Sequence, residues 1–141
     1  MRDYRQLKVW EKSHHLALAI YRITSQFPRE EAYGLQSQMR RAATSIPSNI
    51  AEGCGRDTYI ELLRFFHIAM GSASELDYQL LLTRDLQYIS QLDYNKLQAD
   101  LNEVRRMLTS YAEKIKQTRK SRSKSTSPVP KNGPFTDIPN I

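Results

Sequence analysis

Apolar residues recur along most of this chain at alternating steps of three and four, the period of an amphipathic helix. The first such stretch runs from about Leu7 to Phe27, with Leu7, Trp10, His14, Ala17, Tyr21, Thr24 and Phe27 on one face. Pro28 ends it, because the residue before a proline is pushed out of the α region. The second begins near Gly34 and carries Leu35, Met39, Ala42, Ala43, Ile46 and Ile50 before the helix-ending run Gly53-Cys54-Gly55. Pro47 lies inside it, removes the backbone bond to the Ala43 carbonyl and predicts a kink.

The third stretch opens on Thr58-Tyr59-Ile60-Glu61, a capping box, and continues to about Leu86. The rod it predicts is about 28 residues and 42 Å long. The fourth opens after Ser90-Gln91-Leu92-Asp93 and places Tyr94, Leu97, Leu101, Val104, Leu108, Tyr111 and Ile115 on a regular seam of the kind that bundles and coiled coils use. Connections of about four to six residues set successive helices antiparallel. The expected fold is all-α: an antiparallel up-down-up-down four-helix bundle over residues 1–118. Past Thr118 the periodicity gives way to Ser, Lys and Pro, so residues 119–141 are read as a basic, disordered tail.

The third helix carries more apolar surface than one member of a four-helix bundle needs. Between Tyr59 and Met70 the strongly polar residues are Glu61, Arg64 and His67, three apart on one narrow stripe. Either this helix is central to a larger fold, or its outer face meets another subunit; with four helices in the chain the second reading is preferred. Tyr59, Leu62, Phe65, Phe66 and Met70 are then the candidates for a subunit interface. The small residues Gly71-Ser72-Ala73-Ser74 follow, either permitting close approach of helix backbones or forming a loosely packed stretch.

Charge changes the picture by its position. The chain of 141 residues has 21 Lys plus Arg against 15 Asp plus Glu, a net of +6. Residues 1–113 balance at 14 of each, whereas residues 114–141 hold seven cations against Asp137 alone, which accounts for the entire excess. A single cysteine, Cys54, excludes an intramolecular disulfide and a Cys-based zinc site. No apolar stretch approaches the roughly 18 residues that span a bilayer, and the start MRDYRQLKVWEK has no apolar signal segment. A soluble, cytoplasmic protein without membrane contact is expected.

Catalytic chemistry is sparse. Glu11-Lys12-Ser13-His14 is a Glu-x-x-His on a helix, but a di-iron bundle needs two of these and two more glutamates, so no metal and no cofactor is expected. Cys54 has no histidine near it in sequence, and neither a Gly-x-Ser-x-Gly elbow nor a phosphate-cradling glycine loop is present, so the chain is not expected to be an enzyme. One polar constellation remains on the second helix: Arg40, Arg41, Ser45, Ser48, Asn49, Glu52 and Arg56. It is either a surface for RNA phosphates or a partner, or an internal network in which Arg41 reaches Glu75 or Asp77 on the neighbouring helix.

The runs Leu7-Lys8-Val9-Trp10, Phe27-Pro28, Tyr33-Gly34-Leu35, Arg40-Arg41-Ala42-Ala43, Ser45-Ile46-Pro47-Ser48-Asn49-Ile50-Ala51-Glu52-Gly53 and Ala69-Met70-Gly71-Ser72 resemble, in order and spacing over about residues 4–118, a bacterial four-helix-bundle family, the 23S rRNA intervening-sequence proteins. The resemblance implies an all-α bundle, a ring-like homopentamer and no catalysis. That family in turn resembles the accessory variability determinant proteins of diversity-generating retroelements, pentameric basic barrels that bind nucleic acid and a reverse transcriptase. Residues 1–113 of this chain are instead neutral.

Two functions follow. One is a non-enzymatic, homo-oligomeric scaffold that associates with nucleic acid, RNA first, and with a reverse transcriptase. Its phosphate contacts would come from Arg40, Arg41, Arg56, Arg64, Arg105 and Arg106 in the folded part and from Lys114, Lys116, Arg119, Lys120, Arg122 and Lys124 beyond it. The other is a protein-interaction hub with no nucleic-acid role, its basic tail only a solubilising extension.

Overall fold

The computed structural model describes residues 2–123. They form four long helices: α1 (Lys8–Thr24), α2 (Leu35–Cys54), α3 (Tyr59–Asp85) and α4 (Gln91–Ser123). Short 3-10 turns lie at Tyr4–Gln6 and Arg29–Glu31, and there is no strand among the described residues. The helix starts are capped as the sequence indicates. The Thr58 hydroxyl accepts from the Glu61 N–H at 3.2 Å and the Ser90 hydroxyl from the Asp93 N–H at 3.0 Å. Glu61 does not complete the capping box; its carboxylate pairs with Arg64. At α2, where Gly34 offers no side chain, the Glu31 carboxylate takes the Leu35 N–H at 3.0 Å.

Each helix packs on two others, α1 and α3 both lying between α2 and α4, so the cross-section is a square. Contacts between distant residues fix the directions. Arg40, early in α2, meets Thr24 at the end of α1; Ser45 meets Ser72; Gln98, early in α4, meets Asp77 late in α3; and Lys12 meets Glu103. Neighbours are therefore antiparallel throughout, and the chain is a four-helix bundle. The core holds the seam of α4 from Leu97 to Ile115, the predicted face of α2, and Leu62, Phe66, Ala69, Ala73, Leu76 and Leu80 of α3.

Three expectations need correction. The interface candidates on α3 are largely internal: Tyr59, Leu62, Phe65 and Phe66 are buried within this one chain, and Met70 is half-buried against the core. α2 and α4 cover these side chains within one chain, as every helix of the bundle is covered by two neighbours. Phe65 is further roofed by the guanidinium groups of Arg56 and Arg64, 5.1 and 4.7 Å from its ring centre. The apolar side chains that α3 does expose are Ile60, Ile68, Tyr78 and Leu81.

The face of α1 is also different. Its buried residues are Val9, Ser13, Leu16, Ala17, Ile20 and Thr24, about one position, or roughly 100° of helix, from the stripe expected around Trp10, His14 and Tyr21. Two hydroxyl groups make this possible. The Ser13 side chain donates to the Trp10 carbonyl at 2.9 Å and Thr24 to the Ile20 carbonyl at 2.7 Å, so both polar residues are buried satisfied. The helix also stops at Thr24 rather than Phe27, and a longer connection carries Phe27 to its ring contact with Tyr88.

Finally, α4 continues past Thr118 to Ser123, so Arg119, Lys120 and Arg122 belong to its last turns, while Lys124 lies outside the described residues. α2 runs unbroken through the buried Pro47.

The two glycines exchange roles. A methyl group at Gly53, read as part of a helix stop, would come within 3.0 Å of Phe65 Cβ and 3.3 Å of Leu62 Cδ1, whereas one at Gly71, read as either a close-approach or a loosely packed site, would meet nothing within 4 Å. The close contact of that small-residue run belongs instead to Ser72, which donates to Ser45, and to the buried Ala73. Gly53→Ala should therefore destabilise the bundle by about 1–3 kcal/mol through overpacking, and Gly71→Ala should stabilise it by about 0.5–1 kcal/mol. Denaturant melts of the two variants give the signs directly.

Candidate nucleic-acid interface

Antiparallel packing brings the N-terminal ends of α1 and α3 and the C-terminal ends of α2 and α4 to one pole of the bundle. Two contacts pin them together: Arg2 donates to the Cys54 carbonyl at 3.5 Å, and the Arg122 guanidinium lies 5.9 Å from the centre of the Tyr59 ring. Arg2, Arg5, Lys8, Arg56, Arg64, Lys114, Lys116, Arg119, Lys120 and Arg122 all belong to this pole. The acids there are Asp3, Glu11, Glu52, Asp57, Glu61 and Glu113, and four of them are engaged. Asp3 pairs with Arg5 at 3.6 Å, Glu52 with Arg56 at 3.1 Å, Glu61 with Arg64 at 3.5 Å and Glu113 with Lys116 at 3.2 Å. Lys8, Lys114 and Arg119 have no ion pair among the described residues. Five of the seven cations behind the positive excess, Lys114, Lys116, Arg119, Lys120 and Arg122, are thus set on a structured surface.

The remaining arginines are not part of it. Arg40, near the opposite end of α2, donates to the Thr24 hydroxyl at 2.9 Å and the Tyr21 carbonyl at 3.0 Å, with its guanidinium 4.6 Å from the Tyr21 ring centre. Arg41 reaches neither expected acid. Glu75 accepts from Gln79, Asp77 accepts from Gln98 at 2.6 Å and pairs with Arg105 at 3.3 Å, and Arg41 is exposed. Arg105 and the exposed Arg106 lie midway along α4. The polar run of α2 forms a smaller network in which Asn49 and Ser72 both donate to the Ser45 hydroxyl, at 2.9 and 2.8 Å. Sequence reading missed Arg2, Arg5 and Lys8 as members of the pole, because averaging over residues 1–113 hides cations that folding sets beside the end of α4.

Along the α1–α2 side, the aromatic residues displaced from the core line an open groove with a cavity volume of about 330 Å³. Trp10 and His14 stack in it, their ring planes 7° apart and centres 5.0 Å apart, and Tyr4 meets Trp10 edge-on at 5.0 Å.

Cys54 has no nucleophilic environment. Burial pushes its thiol up to about 12, an effect that nearby Arg2 only partly offsets, so it stays protonated at neutral pH. Burial likewise raises Tyr111 and lowers Arg2. Among the described residues no group of three His, Cys, Asp or Glu could hold a metal ion, and no helix is long and apolar enough to cross a membrane.

A profile of the 23S rRNA-intervening sequence proteins matches residues 5–110, which take in α1, α2, α3 and the first 20 residues of α4. The chain belongs to that family. Among solved structures it is similar to a protein of unknown function from the S23 ribosomal protein family of Bacteroides thetaiotaomicron VPI-5482. The two share 26% identity with a TM-score of 0.70, over 74% of this chain and 95% of that one. No curated protein matches it. For this member of the family the match ends at residue 110, so the basic last turns of α4 lie beyond the matched region.

Cys54 gives the fold a pH dependence whose sign is fixed. Its folded value lies above its ordinary value of 9.0, so the stability it contributes is complete below about pH 9 and is lost as pH rises toward about 12. Melts across that range should show a decline that Cys54→Ala reduces, and iodoacetamide at pH 8 should label the thiol only on unfolding.

Proposed function

We propose that this chain is a non-enzymatic, self-associating helical scaffold that holds nucleic acid, RNA first, by its phosphates at the basic pole. The observation that carries this reading is the pole itself, where unpaired Lys8, Lys114 and Arg119 stand with Lys120 and Arg122 around converging helix ends. Cations at the end of α4 also suit its dipole, but that attraction acts within the last turn and is worth about 0.3–1 kcal/mol per charge. It does not account for Lys114, more than two turns before Ser123, or for Lys8 on another helix. Exposed Ile60, Ile68, Tyr78 and Leu81 on the outer face of α3 supply the apolar surface for self-association. The inert Cys54 supports a binding role over a catalytic one.

Lys8→Ala, Lys114→Ala and Arg119→Ala together should leave the helical spectrum intact while lowering affinity for an RNA oligonucleotide. The slope of log affinity against log salt should flatten by about 0.7 for each phosphate of a single strand that is no longer neutralised. An unchanged affinity and slope, or no binding by the full chain near ~50 mM salt, would overturn the phosphate reading. Light scattering tests self-association separately: a stable monomer at micromolar concentration excludes it, and Ile68→Asp should weaken any assembly that is seen.

A further inference from the structure

The α1–α2 groove is chemically distinct from the pole. Its floor is aromatic and apolar: Trp10 and His14 form a stacked pair, Tyr4 and Tyr21 stand toward its two ends, and Leu18 and Pro47 fill the space between. None of its lining residues is acidic. At each end a guanidinium sits over a lining tyrosine: Arg5, where the groove meets the pole and which also pairs with Asp3 at 3.6 Å, is 5.0 Å from the Tyr4 ring centre, and Arg40 is 4.6 Å from that of Tyr21. Arg41, exposed and without a partner among the described residues, lies one helical turn from Thr44, which also lines the groove. Trp10 to Tyr21 covers about 16 Å of helix, close to the rise of about five stacked nucleotides.

We propose that this groove is a base-stacking site for single-stranded nucleic acid, with bases laid against Trp10, His14 and Tyr21 and phosphates held by the arginines at its ends. The inference rests on the nucleic-acid reading above and deepens it by naming the strand form and the surface that reads it. Charge complementarity selects this occupant. Aromatic faces bounded by arginines, with no carboxylate among the lining residues, suit a polyanion that also presents flat rings. An acidic peptide would match the arginines but not the row of stacking faces. A duplex keeps its bases stacked inside and cannot offer them to Trp10.

Trp10 is the chain's only tryptophan, so its emission reports this groove alone. Adding a short oligothymidylate to the full chain at low salt should quench that emission in step with the anisotropy change of the labelled strand. A duplex of equal length should bind at the pole and leave the emission unchanged. Tyr21, 43% exposed, can be removed without opening the core, and Tyr21→Ala should weaken single-strand binding by about tenfold, one stacked base. It should leave duplex binding as it was.

Binding with unaltered Trp10 emission and no effect of Tyr21→Ala would overturn the groove while leaving the basic pole standing. No binding of either strand form would overturn both readings. If Leu18→Asp or Tyr21→Ala instead changes the mass in light scattering, with single-strand affinity retained, the groove seats a second copy of this chain and the proposal fails.

Discussion

The close approach of α2 and α3 is the constraint on which the rest of the molecule depends. At Gly53 the two helices leave no room for a side chain, with Phe65 Cβ only 3.0 Å from where a Cβ would stand. Further along, Ser72 and Ser45 join hydroxyl to hydroxyl at 2.8 Å, and Ala43, Ala69 and Ala73 are fully buried. Small residues allow such an approach because the attraction between packed atoms falls steeply with any gap. Once α2 and α3 are set antiparallel at that spacing, α1 and α4 can cover the remaining apolar faces only from the two sides. The N-terminal ends of α1 and α3 and the C-terminal ends of α2 and α4 then share one pole, where Arg122 of α4 meets Tyr59 and Arg2 meets the end of α2. The charged pole follows from the packing of two helices that do not carry its excess: α2 is +1 and α3 is −2.

What the sequence made legible was periodic; what it hid was interaction between elements. The seam of α4 could be read residue by residue, because Leu97, Leu101, Val104, Leu108, Tyr111 and Ile115 are apolar and evenly spaced, and all are buried. The same seam continues through Thr118 to Arg122, both half-buried, but an arginine does not read as a seam residue. Its guanidinium reaches the Tyr59 ring, so the helix outlasts the pattern.

On α1 the failure was opposite. Trp10, His14 and Tyr21 have the helical spacing and the larger rings, yet Val9, Ser13 and Ile20 are the residues inside. No periodicity measure values Ser13 as a core residue, because its burial depends on a hydroxyl bond to a carbonyl of the preceding turn; Thr24, which the spacing did place on the inner face, is buried by the same device. The face of α2 was legible for a simple reason: its two candidate stripes differ sharply, Ala42, Ala43, Ile46 and Ile50 against Arg41, Ser45 and Ser48. The wide apolar sector of α3 was equally visible, but its assignment to a second subunit was not, since a single chain supplies α2 on one side and α4 on the other.

The one-position turn of α1 has consequences for the surface as well as for the core. Had Trp10, His14 and Tyr21 faced inward, the residues one position on, Glu11, His15 and Arg22, would have turned to the α1–α2 side, a polar strip with a carboxylate in it. Rotation exchanges that strip for aromatic rings, and the rings recruit Arg5 and Arg40 through their electron-rich faces. Arg40 is doubly held, since Thr24, buried to satisfy the same helix, also accepts its Nε. A residue buried for the core thus fixes the guanidinium that bounds the groove. Core and groove are two outcomes of one rotational choice, so substitutions at Ser13 or Thr24 act on both, whereas substitutions at the exposed Tyr21 reach the groove alone.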